Sequence, residues 1–221
     1  MLRLATPLDG LRATLHNGPG WRFSVWVQGC SLRCTSDCLN PHMLDPSGGY
    51  EVAISDVVAA LLQTARNEGR PVEGVTLLGG EPTEQADSAA ELFERLQGEG
   101  WSTMLYSGYT IEALRRRGPA MARLLAATDL LVDGPFLPER YREDLAWRGS
   151  ANQRIHCLTK RFSAAALEVA FREQGKGFSL DFRADGSVAA SGLQRRDAAE
   201  EMERKLAAGT RSVVGKSTPV G

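Results

Sequence analysis

The sequence predicts an α/β fold: a partial (β/α) barrel of mainly parallel strands, with a small C-terminal hairpin and helix extension. Three observations carry this expectation. Val75–Leu78 and Leu130–Val132 are short unbroken apolar runs, the pattern of a strand buried on both faces. Amphipathic segments of helical period lie between such runs. The runs end in glycine-bearing turns, Gly79-Gly80 and Asp133-Gly134, as βα turns do.

In chain order, Asn17-Gly18-Pro19-Gly20 is a turn signal ahead of a strand over Trp21–Val27, where aromatic or β-branched residues alternate with polar ones. Gly29 stops that strand, and Pro41, Pro46 and Gly48-Gly49 keep the stretch to residue 50 irregular. Ser55 is placed to cap a helix reaching Asn67, with Val57, Val58, Leu61, Leu62 and Ala65 at helical spacing. After Val75–Leu78 come a helix over Ala86–Gln97, a strand over Ser102–Tyr106, and helical segments at Thr110–Arg117 and Ala120–Ala127 split by Gly118-Pro119. Strands and helices of this length imply right-handed crossovers and a mainly parallel sheet, with strands too few to close a full barrel, which fits a partial, open barrel or a doubly wound sheet. Beyond residue 135 the alternation weakens. A strand is expected at Ile155–Leu158, a hairpin from Phe178–Phe182 through Ala184-Asp185-Gly186 to Ser187–Ala190, and a charged helix near Arg195–Ala208. The expected organisation is one core unit over residues 1–160, an extension over 161–208 and a disordered tail over 209–221.

The 221 residues carry a net charge of -1, with 43% hydrophobic and 24% charged residues. That is the balance of an ordinary globular domain, with no whole-chain field toward nucleic acid or anionic lipid. No apolar run reaches the ~20 residues of a membrane span, and Met1–Gly10 lacks the apolar stretch of a secretory leader. The expected setting is the cytoplasm, where thiols stay reduced, without nucleic-acid or membrane partners.

Three of the four cysteines, Cys30, Cys34 and Cys38, crowd one loop directly after a strand. Three thiolates can hold three corners of an iron–sulfur cubane and leave the fourth iron open to an outside ligand. A competing reading is a tetrahedral Cys3His zinc site completed by His42, in a non-catalytic binding module. Gly79-Gly80-Glu81-Pro82 favours the open cluster. It follows a buried strand, at the end of a parallel sheet where ligands bind. Its glycines admit close backbone approach, and Glu81 offers a carboxylate that suits a cationic amino group.

With both features in place, the sequence resembles the radical S-adenosylmethionine (SAM) superfamily. The resemblance implies a 4Fe–4S cluster on Cys30, Cys34 and Cys38, with SAM at the open iron and its amino group beside Gly79, Gly80, Glu81 and Pro82. It also implies reductive cleavage of SAM to methionine and a 5′-deoxyadenosyl radical. Within the superfamily the chain is similar to small glycyl-radical-enzyme activases, above all the anaerobic ribonucleotide reductase activating group. The cysteine loop with Asn40 behind it, "YSGYT" at Tyr106–Thr110, "LVDGPF" at Leu131–Phe136 and "RGSANQR" at Arg148–Arg154 carry this likeness. The likeness implies that Ser107, Asp133 and Asn40 line the SAM pocket. It also implies a glycyl-radical enzyme as protein substrate and an electron donor such as flavodoxin or ferredoxin. Two departures stand out. The spacing here is C-x3-C-x3-C where the family has C-x3-C-x2-C, and Cys38 lacks the usual aromatic neighbour. The chain also continues past the activase-like core, which leaves room for a different peptide or protein substrate.

Other residues have plainer readings. Cys157 is expected to pack as a small apolar group, and His16 and His156 to be surface or hydrogen-bonded side chains. Trp21 and Trp26 read as core strand aromatics. Arg115, Arg116 and Arg117 read as a solvated helix end. Arg148, Asn152 and Gln153 are polar enough for either a site or a loop role.

Overall fold

The structure, a computed structural model, describes residues 1–142, 144–174, 179–182, 188–191 and 204. The chain opens with two short strands, β1 (Leu2–Leu4) and β2 (Arg12–Thr14), and then β3 (Arg22–Val27). After the cysteine loop come β4 (Tyr50–Val52), α1 (Ile54–Asn67), β5 (Gly74–Gly79), α2 (Ala86–Gly98) and β6 (Ser102–Ser107). Next are α3 (Ile111–Leu114), α4 (Gly118–Ala126), β7 (Leu130–Asp133) and β8 (Arg154–Cys157). Helix α5 (Ala164–Gln174) and strands β9 (Ser179–Phe182) and β10 (Val188–Ser191) complete the described elements.

The main sheet runs β4-β1-β3-β5-β6-β7-β8, with β2 also paired to β3. Strands β3, β5, β6 and β7 are mutually parallel, as their apolar runs predict. The additions at the two ends are antiparallel. The result is a mixed α/β architecture around a mostly parallel sheet, in which β4 and β8 end the order of described strands.

The period of two divides each strand between two cores. Phe23, Val25, Val27, Val75, Leu77, Leu105 and Leu131 face the helices and pack with Val57, Leu61, Leu92, Phe93, Leu96 and Leu124. Each such side chain contributes about 1.5–3 kcal/mol on burial. Alternate residues Met104, Leu130 and Val132 turn to the other face, where Trp147 and Leu167 of α5 cover them. At the N-terminal end of the parallel strands the buried polar groups close on one another. Arg22, held down to about 10 by burial, donates to the Ser102 hydroxyl at 2.7 Å. Asp129 accepts from the Thr103 N–H at 2.9 Å and the Thr159 hydroxyl at 2.6 Å.

Several expectations change. Ser55 does not cap α1: Ala53 occupies the N-cap without a side-chain bond, and the Ser55 hydroxyl points to Asp56 at 3.2 Å. Gly118-Pro119 does not precede the second segment but opens α4, where proline's missing N–H costs nothing. Strands β1, β2 and β4 are additions the sequence pattern does not announce, because each is only three residues long. Helix α5, within the C-terminal extension, is likewise an element the sequence pattern does not announce. The expected hairpin is present as β9–β10, paired from Ser179↔Ser191 to Phe182↔Val188. The helix expected near Arg195–Ala208 and the tail 209–221 lie outside the described residues, apart from Arg204.

Candidate functional site

Because β3, β5, β6 and β7 are parallel, their C-terminal ends meet along one edge of the sheet. The loops that leave this edge carry Cys30–Cys38, Gly80–Gln85, Gly108–Thr110 and Gly134–Phe136. The structure therefore brings together Cys30, Cys34, Cys38, Gly79, Gly80, Glu81, Pro82, Ser107 and Asp133 on adjacent strand ends. Asn40 closes the cysteine loop, accepting from the Met43 N–H at 3.0 Å on its carbonyl.

The cysteine loop is fixed at its base. The Gly29 and Cys30 N–H groups donate to Met43 O and Leu44 O at 2.9 and 3.1 Å. The Gln28 amide donates to the carbonyls of His42 and Asp45. All the cysteines are free; Cys34 is exposed, and Cys30 and Cys38 are half-buried. Burial pushes the Cys30 thiol up, against the N–H groups of Arg33 and Leu32 that favour its thiolate. Burial likewise raises Cys34, against a bond from the Phe136 N–H. Among the described residues no three His, Cys, Asp or Glu side chains are preassembled as an ion cage. The donor set suits a cluster: free thiols on one loop, with no fourth cysteine beside them.

The loop meets the glycine turn through backbone. Glu81 N–H donates to Gly29 O at 2.8 Å, and Gly80 N–H to Val27 O at 2.8 Å. Any Cβ at Gly80 would strike the Gly29 carbonyl, and Gly79 has φ +112°, so both positions demand glycine. The Glu81 side chain does not point to an open space. It is 2% exposed, and its Oε1 accepts from Thr83 N–H (3.1 Å), Thr83 Oγ1 (2.5 Å) and Ser107 Oγ (2.9 Å). Its Oε2 accepts from Gly108 N–H at 2.8 Å. Desolvation raises this carboxyl despite four donors. The carboxylate thus ties the β5 turn to the β6 turn, where Leu32 of the cysteine loop seats against Gly108.

Asp133 is also committed internally. Its side chain is wholly buried and accepts from the Ile111 N–H at 2.6 Å and from Arg154 Nε and Nη2 at 3.0 and 2.5 Å. Burial pushes the Asp133 carboxyl up, but Arg154, the Ile111 N–H and His156 together hold it below its ordinary range. His156 Nε2 lies 3.0 Å from Asp133 Oδ1, out of line for a hydrogen bond. Arg154 also grips Glu112 and holds it down to about 2.

Sequence reasoning missed Glu84, which accepts from the Ser31 N–H at 2.9 and 3.1 Å and from its hydroxyl at 2.6 Å. The only signal was a second acidic residue close behind Gly-Gly-Glu-Pro. Asn152 and Gln153 have loop roles: they donate to Pro135 O and Gly134 O, and Gln153 accepts from the Gly149 N–H at 2.8 Å. Arg148 donates to Gln153 O at 3.3 Å. Three plainer readings need correction. Cys157 is exposed rather than packed, because β8 lies at the end of the sheet order. Trp21 lies at the surface beneath Arg70, its indole bonded to Glu68 at 3.0 Å. Arg117 is not simply solvated but stacks over the Tyr109 ring at 3.5 Å.

Comparison with known proteins gives the site its context. A family described as "4Fe-4S single cluster domain" matches residues 16–156, which span the cysteine loop and all four parallel strands. The anaerobic ribonucleoside-triphosphate reductase-activating protein of Vibrio cholerae is 36% identical over 149 residues, 65% of this chain and 92% of that protein. Its Escherichia coli counterpart is 29% identical over 148 residues, 64% of this chain and 92% of that protein. Pyruvate formate-lyase 1-activating enzyme of Escherichia coli is 34% identical over 116 residues, 52% of this chain and 46% of that enzyme. A 4Fe–4S family match displaces the Cys3His zinc reading, and the His42 carbonyl accepts from the Gln28 amide at 3.0 Å. With the fold, the thiol loop and the glycine turn all inside the matched region, the chain belongs to the radical SAM activating enzymes with a single 4Fe–4S cluster domain.

Proposed function

We propose that this chain activates a glycyl-radical enzyme, of the anaerobic ribonucleotide reductase kind, by transferring a radical to a backbone glycine of that partner. The observation that carries the reading is the triad of free thiols on a loop joined by backbone hydrogen bonds to the Gly79–Pro82 turn. In this reading Cys30, Cys34 and Cys38 hold the cluster. When bound, the cluster supplies the electron that splits SAM into methionine and a 5′-deoxyadenosyl radical. The sheet acts as a partial barrel, with SAM along the C-terminal strand ends.

The chain's own residues position the reactants. Glu81 is occupied by four donors, so the part of the turn left to meet the SAM amino group is backbone carbonyl rather than carboxylate. Glu81 and Ser107 hold the two turns in register, and Asp133 with Arg154 fixes the third. Cys34 is exposed, so this side of the loop is accessible to a docking partner and to an electron donor such as flavodoxin or ferredoxin. A cytoplasmic setting suits these reduced thiols.

Anaerobic reconstitution tests the reading. About four irons per chain, SAM-dependent 5′-deoxyadenosine and a glycyl radical seen by electron paramagnetic resonance with the reductase are expected. A colourless protein holding one zinc would sink the cluster assignment. A SAM-cleaving chain that never yields a glycyl radical on the reductase would favour a second reading, modification of another peptide or protein. Helix α5, beyond the matched residues 16–156, is the observation behind that alternative.

A further inference from the structure

Within the cysteine loop, the backbone N–H groups nearest Cys30 are not used alike. Those of Leu32 and Arg33 face the Cys30 sulfur. The Ser31 N–H turns away and is shared by both Glu84 oxygens at 2.9 and 3.1 Å, while the Ser31 hydroxyl donates to Oε1 at 2.6 Å. Glu84 itself sits in the 3-10 turn Pro82–Gln85, so its grip joins the first residue after Cys30 to the glycine turn.

We propose that Glu84 is a positioning residue for the cluster: it pins Ser31 to the Gly79–Pro82 turn and holds the cluster's reduction potential down. Two effects act in the same direction. An N–H donated to cluster sulfur raises the potential, and the carboxylate withholds one such donor. A nearby negative charge also favours the more oxidised cluster, an effect that solvent screening limits at this exposed side chain. The proposal rests on the assignment of the cluster to Cys30, Cys34 and Cys38.

The test uses the full chain, reconstituted anaerobically, as wild type, E84Q, E84A and the distant control E99Q. Hydrogen exchange at the Ser31 amide and a redox titration followed by electron paramagnetic resonance are the readouts. In E84A the Ser31 amide exchanges about tenfold faster. The ratio of reduced to oxidised cluster at a fixed potential rises about threefold, about 28 mV for a one-electron couple. E84Q keeps an acceptor but no charge, so Ser31 protection falls less while the potential still rises; E99Q matches wild type. An iron-loaded E84A with an unmoved or lowered potential overturns the proposal, even if exchange quickens. Should E84A fail to hold iron, the E84Q titration decides on the same terms. A wild-type chain that takes up no iron fails the cluster assignment instead, which keeps the two failures apart.

Discussion

The two ends of the parallel sheet handle buried charge in similar ways and thiols very differently. At the N-terminal end, Asp129 takes Thr103 and Thr159, and Arg22 takes Ser102. At the C-terminal end, Glu81 takes Thr83, Ser107 and Gly108, and Asp133 takes Ile111 and Arg154. The carboxylates at both ends are spent on joining strands and turns. What distinguishes the C-terminal end is a loop with three free cysteines, one of them exposed. Reactivity at this edge thus falls to sulfur and backbone, and the acidic residues act through the loops they hold.

The strongest way to break this contrast is Cys34→Ala. It should take 5′-deoxyadenosine formation to background while leaving urea stability within about 0.5 kcal/mol, because the side chain is exposed. A large fall in stability would mean that the thiol loop is structural after all. Asp129→Ala should give the opposite profile: a loss of about 2–4 kcal/mol from orphaned buried donors, with unchanged turnover per folded molecule. Glu81→Gln falls between them, with a loss of about 1–3 kcal/mol and a raised KM for SAM as the Ser107-Gly108 turn loosens.

Asp133→Asn sharpens the comparison through pH. The folded carboxyl lies below its ordinary 3.8, so its stabilisation is present above 3.8 and lost as pH falls through the depressed folded value. The variant should lose about 1–2 kcal/mol at neutral pH, discounted because Arg154 is half exposed. The gap in Tm should then close on acidification below 3.8. A gap that widens in acid would contradict the pairing. The smallest effects concern helix starts. Thr110→Ala, which removes the hydroxyl that accepts from the Ala113 N–H at 3.3 Å, should cost about 1 kcal/mol, and Ser55→Ala less than about 0.5 kcal/mol.

The parallel strands were legible because burial on both faces leaves unbroken apolar runs, as in Val75–Leu78. The cysteine loop and glycine turn were legible from residue type and spacing. Strands β1, β2 and β4 were not, since three-residue strands follow pairing partners rather than their own pattern. The destination of the Glu81 carboxylate was equally hidden. A sequence shows a carboxylate beside two glycines, but only the fold reveals that Ser107 and Gly108 reach it first. Glu84 was missed for the same reason, because its partner Ser31 lies 53 positions away in the chain.

The close contact of Gly80 with Gly29 has a consequence for where chain length can vary. The cysteine loop is nailed at its start by that contact and at its base by the Gly29–Met43 and Cys30–Leu44 hydrogen bonds. Arg33, at φ 42°, already turns the chain into the left-handed region between these anchors. A residue gained after Cys34 can bulge into solvent without displacing either anchor, which accommodates the longer Cys34–Cys38 interval. A residue gained between Val27 and Ser31 would shift Cys30 off the glycine turn. Insertional scanning would therefore map the loop as two zones, one elastic and one with no slack.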